Sequence, residues 1–82
     1  MKRKGLRLED PATYEIRVQG SLELKWSDRL QGLGIRVKEN SDRMMVTILS
    51  GHLKDQAALL GVLNTLFTLK LPVLFVFCHR HG

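Results

Sequence analysis

Cys78, His79 and His81 close the chain, with His52 further upstream, and these are the residue types that bind soft divalent metals. A closed site needs about four ligands, and neither a second cysteine nor a carboxylate stands near this run. It is read as an ordinary chain end, and no metal is expected. Cys78 beside a histidine could also suggest a nucleophilic dyad. Adjacent residues of a strand point to opposite faces, so that pairing is not built, and Cys78 is read as a small apolar residue of the core or an interface. The loop Gly20-Ser21 is the natural place for an anion, because it leads into a helix whose N-terminus attracts negative groups. Gly-rich phosphate loops, GxSxG and HExxH are all missing from the sequence. No catalytic residue and no cofactor is assigned, and the reading leans away from an enzyme.

The 82 residues carry 44% apolar and 26% charged side chains, a globular composition with room for one core. The net charge of +5 is unevenly placed. Lys2, Arg3, Lys4 and Arg7 account for four of the 13 basic residues, which leaves nine against eight acidic ones. Residues 1–12 are therefore read as a flexible basic arm, 13–78 as the folded domain and 79–82 as a short tail. The arm could meet phosphates. Base stacking on a sheet, however, would need aromatics on the outward faces of the first and third strands, where none is expected, and this argues against nucleic acid. The basic start lacks an apolar run, so it does not read as a secretory signal. Ala57 to Cys78 contains a single formal charge, Lys70. A cation there costs about 3 kcal/mol in a bilayer, and Pro72 removes a backbone donor. A transmembrane segment is not favoured, and a cytoplasmic domain is expected.

The supporting elements follow from periodicity. Tyr14, Ile16 and Val18 alternate with Glu15, Arg17 and Gln19, the pattern of a half-buried strand. Leu22, Trp26, Leu30 and Leu33 recur at helical spacing and predict a short helix ended by Gly32 and Gly34, with Trp26 in the core. Residues 35–49 read as a hairpin around Asn40-Ser41-Asp42, broken after Leu49 by Ser50-Gly51. Asp55 is placed as N-cap of a helix over 56–69 with Leu59, Val62, Leu63 and Leu66 as its core stripe. Gly61 in that helix predicts a close approach of neighbouring backbone. Val73 to Cys78 is the last strand. The order β-α-β-β-α-β, with right-handed crossovers, predicts an α+β ferredoxin-like sandwich: a four-stranded antiparallel sheet with both helices on one face.

On the third strand Met44, Val46 and Ile48 are assigned to the helix side, which turns Met45, Thr47 and Leu49 outward. The fourth strand is apolar on both sides. An open face that is half apolar is seldom left bare in a monomer, so Met45, Leu49, Phe75 and Phe77 are predicted to form a homodimer interface. The function read from the sequence is a non-enzymatic module for self-association or for binding another protein, with a small-anion hydrolase or anion-binding domain using the Gly20-Ser21 loop and a nucleic-acid accessory acting through the basic arm as the alternatives.

Two resemblances carry further expectations. Arg17-Val18-Gln19-Gly20 at the end of a first strand resembles the phosphate-cradle loop of acylphosphatases. That resemblance implies anion binding by Arg17, Gly20, Ser21 and Asn40. It departs from the family at Leu24, which stands where a catalytic arginine is expected. A second resemblance spans residues 14–77. Tyr14-Glu15-Ile16-Arg17-Val18-x-Gly20-x-Leu22, Trp26, Gly32-Leu33, Asp55-Gln56-Ala57-Ala58-Leu59-x-Gly61-x-Leu63-Asn64 and Leu71-Pro72 together look like a family of small uncharacterised bacterial proteins. It implies a bacterial source and a small cytoplasmic domain, and it names no substrate.

Overall fold

A computed structural model describes residues 5–79. Four strands, β1 (Ala12–Gln19), β2 (Gly34–Glu39), β3 (Met45–Leu53) and β4 (Val73–His79), form one antiparallel sheet in the order β2-β3-β1-β4. A 3-10 helix, Leu24–Leu30, joins β1 to β2, and an α-helix, α1 (Gln56–Thr68), joins β3 to β4. The class is α+β, as the periodicity predicts. Both helices contribute to a single core with the inward face of the sheet: Tyr14, Ile16, Val18, Leu49 and Leu53 meet Leu22, Leu30, Ala58, Val62 and Leu66.

The first helix is tighter and shorter than the Leu22–Leu33 spacing suggests. Glu23 at its start makes no side-chain cap, and Gln31 and Gly32 at its end take φ of 60° and 75°. With so few residues between those limits, the chain closes as a 3-10 turn. α1 begins where expected, with Ala58 N–H donating to the Asp55 carboxylate at 2.8 Å. It ends in a complete Schellman motif: Lys70 N–H donates to Phe67 C=O, and Leu71 N–H to Leu66 C=O. Lys70 holds the left-handed position of that motif at φ 61°. The helix therefore ends inside the apolar segment, and among the described residues no helix is long and apolar enough to cross a membrane.

β3 departs most from the sequence reading. It runs through Ser50-Gly51 to Leu53, and its faces are reversed. Ile16 lies opposite Leu49 and Val18 opposite Thr47, so Thr47 and Leu49 face the helices while Val46 and Ile48 face the open side. Thr47 is the buried polar residue of the core and is fully satisfied. Its hydroxyl accepts from Leu22 N–H at 3.0 Å and donates to Gly20 C=O at 2.7 Å. Gly51 allows the strand to continue inward of Leu33, because a Cβ there would stand 3.0 Å from Leu33 Cδ2.

Residues before β1 are partly engaged. Leu6 packs on the core, Arg7 and Asp10 close a turn, and the Leu8 carbonyl accepts from Gln56 N–H at 2.9 Å. Lys2, Arg3 and Lys4 lie outside the described residues.

Gly61 does not serve the close approach expected of it. A Cβ built there meets nothing within 4 Å among the described residues. Gly61→Ala should raise the unfolding free energy by about 0.5–1 kcal/mol in urea titrations, the helix-propensity difference. A loss of stability would show that the backbone there needs glycine.

Candidate functional site

The two edges of the sheet differ in chemistry. β2 places Arg36, Lys38 and Glu39 along its exposed length, and charged side chains of this kind keep an edge strand from pairing with other chains. β4 carries no charged residue from Val73 to Cys78. Val73, Leu74, Phe75, Val76 and Phe77 are each 42–52% exposed. Among the described residues no strand lies on its outer side. Its register against β1 explains the exposure on both faces. Phe77 lies opposite Glu15 and Phe75 opposite Arg17 on the open face, whereas Val76 and Cys78 lie opposite Ile16 and Tyr14 on the helix side. Between Arg17 and Val18 the register shifts, leaving Leu74 as the extra residue of a bulge.

The open face next to this edge is ordered by aromatic contacts. The Phe75 and Phe77 rings lie 5.9 Å apart with planes 8° from parallel, and His79 meets Phe77 edge-on at 4.4 Å. The Arg17 guanidinium sits 5.6 Å from the Phe75 ring centre and donates to Glu15 at 2.8 Å. Behind β1, Val46 and Ile48 are covered although they face outward. The register sets Arg36 beside Ile48 and Lys38 beside Val46.

Of the predicted interface set, only Phe75 and Phe77 are on the open face. Leu49 is 0% exposed and belongs to the core, and Met45, though exposed, shares its inward phase. The cause is the reversed phase of β3. A charge at Leu49 would therefore break the core rather than an interface.

The predicted anion residues do not converge. Gly20 N–H is already committed to Met45 C=O at 2.8 Å, and Gly20 C=O accepts from Thr47. A Cβ at Gly20, where φ is 112°, would stand 3.1 Å from Leu71 Cδ2. This glycine thus serves packing and a left-handed turn. Ser21 is exposed in the same loop. Asn40 organises the β2–β3 turn, its side-chain oxygen accepting from Asp42 and Met44 N–H. Arg17 is turned toward Glu15 and Phe75, and Leu24 is exposed. Cys78 and His79 point to opposite faces as expected for neighbours in a strand, and His81 lies outside the described residues.

On the helix side, α1 has no charged side chain, with Leu60 and Phe67 well exposed. Leu8, Leu59, Leu60 and Leu63 line a groove of about 610 Å³ beside its N-terminus. What sequence reasoning missed is the pairing of the aromatic ladder with cations. Period-2 alternation in Phe75-Val76-Phe77 was its signal, but the neighbours across the sheet come only from register.

The fold and surface define a small α+β domain with one charge-guarded edge and one bare apolar edge. The chain belongs to a family described as a domain of unknown function (DUF8691), which matches residues 13–76. No curated protein and no solved structure matches it.

Tyr14, the single tyrosine of the chain, has a buried hydroxyl with no hydrogen-bond partner among the described residues. Burial pushes its pKa above the ordinary value of 10.0, and a Cys78 thiolate would push it further the same way. A group whose pKa is raised on folding stabilises below its unfolded pKa and ceases to do so as pH rises through the folded value. Unfolding free energy should therefore fall above about pH 10, and Tyr14→Phe should lessen that fall. The two proteins losing stability in parallel would contradict this.

Proposed function

We propose that this domain self-associates by pairing β4 with β4 of a second copy, and that its role is non-enzymatic. The observation that carries the reading is the unguarded edge itself: five consecutive large apolar residues on an outer strand, opposite an edge strand rich in charge. Exposed backbone donors and acceptors on such a strand are a template for another strand. Antiparallel pairing about a two-fold axis at Val76 sets Phe75 of each copy against Phe77 of the other, on the same face. Aromatic cross-strand pairs contribute up to about 1 kcal/mol each, and a self-complementary strand is what an isologous dimer requires. A continuous sheet of eight strands results, with the helices of both copies on one side.

The finer description of the fold belongs to the same reading. Taken from the β4 edge the strand order is 4-1-3-2, and each helix carries the chain across one strand to a parallel partner. This supports a ferredoxin-like sandwich whose first helix is reduced to a 3-10 turn. The continuous β4–β4 sheet is also the form in which a cytoplasmic bacterial protein of this family would bury its apolar strand.

Light scattering after size exclusion tests the dimer. The wild-type chain should elute with twice the monomer mass. Val76→Lys and Leu74→Lys, which place a cation on the pairing edge, should elute as monomers with unchanged circular dichroism. Arg36→Glu on the opposite edge should remain dimeric. A monomeric wild type, or dimers that persist in both lysine variants, would overturn the proposal.

A further inference from the structure

We infer that the open face of the sheet binds a single strand of nucleic acid, with Phe75 and Phe77 as its stacking platform. The register sets one continuous row across all four strands: Phe75 on β4, Arg17 on β1, Ile48 on β3 and Arg36 on β2. Lys38 stands in the adjacent row beside Val46, and Phe77 beside Glu15. Adjacent strands lie about 4.8 Å apart, so Arg36 is roughly three strand spacings from the rings, within reach of the backbone of a strand whose bases rest on them.

The chemistry of this face fits that occupant in two independent ways. The two rings, stacked with one another and each more than two-fifths exposed, present an aromatic surface to bases, and base–aromatic stacking tolerates any base because each presents a π-face. The charge around them is complementary to phosphate. Arg36 and Lys38 face outward from the far strand and supply that charge, while Arg17 and Glu15 offset one another through their contact at 2.8 Å. The Arg17 guanidinium lies over the Phe75 ring at 5.6 Å and is a planar cation of the kind that stacks on bases. A base-stacking sheet is expected to carry its aromatics on the first and third strands. The fold places them on the edge strand, directly beside the first, where the cations of two strands can serve the same ligand.

The platform is complete within one chain and does not require the β4–β4 dimer. Pairing at that edge would bring two such platforms together on the same face.

Fluorescence anisotropy of a labelled ten-nucleotide oligouridylate with the full chain tests the inference. Binding should weaken about tenfold for Phe75→Ala and again for Phe77→Ala, as expected for the loss of a stacked base. Arg36→Gln and Lys38→Gln, at exposed positions, should each weaken binding and lower the salt slope by about one. Val76→Lys should still bind, which separates this result from failure of the dimer. A duplex of the same length should bind more weakly. No binding at low salt would overturn the inference. So would binding indifferent to both phenylalanine substitutions, or equal binding of the duplex, either of which would mark simple attraction to a basic chain.

Discussion

The Thr47 hydroxyl is the contact on which the arrangement of this domain depends. It lies in the core because two backbone groups claim it: it accepts from Leu22 N–H and donates to Gly20 C=O. A buried hydroxyl without such partners would cost a few kcal/mol. With them it fastens the loop after β1 onto β3 and settles which way β3 faces. Leu49 and Leu53 then join the core, Gly51 passes beneath Leu33, and Val46 and Ile48 turn to the open side. A slip of one residue would exchange every one of those positions. The same phase puts Arg36 and Lys38 beside Ile48 and Val46. The polar anchor inside the domain thus determines the character of its outer face.

Much of the architecture is legible in the residues. The alternation from Tyr14 to Gln19 identifies β1, and Asp55 marks the start of α1 to the residue. The phase of β3 is not legible, and the reason is physical. Met44, Val46 and Ile48 are the more apolar set, because Thr47 carries a hydroxyl, so hydrophobic pattern alone points to the opposite phase. The choice is made by hydrogen bonds to residues more than twenty positions away. Ser50-Gly51 has the composition of a break, yet here the glycine makes room for Leu33 within a continuing strand. The short first helix has the apolar spacing of an α-helix and lacks the length and the cap to sustain one.

The candidate surfaces follow the same division. The apolar nature of β4 can be read directly, and Phe75 and Phe77 keep the outward position expected of them. Leu49 was lost to the core with the phase of β3. The resemblance of Arg17-Val18-Gln19-Gly20 to an anion loop is a likeness of strand and turn. In this chain the Gly20 amide is committed to Met45, the Asn40 side chain to its own turn and Arg17 to Glu15. What sets this protein apart is the contrast between its edges. Charge guards β2, whereas β4 presents apolar side chains on both faces and an open backbone between them.

That contrast makes hydrogen exchange along β4 the most direct test of self-association. Backbone amides of residues 73–79 that point away from β1 should be protected in concentrated protein and become fast on dilution, while amides at the β2 edge should not change. Exchange at β4 that is equally fast at every concentration would contradict the account, because it would mean that the bare edge of the sheet stays unpaired.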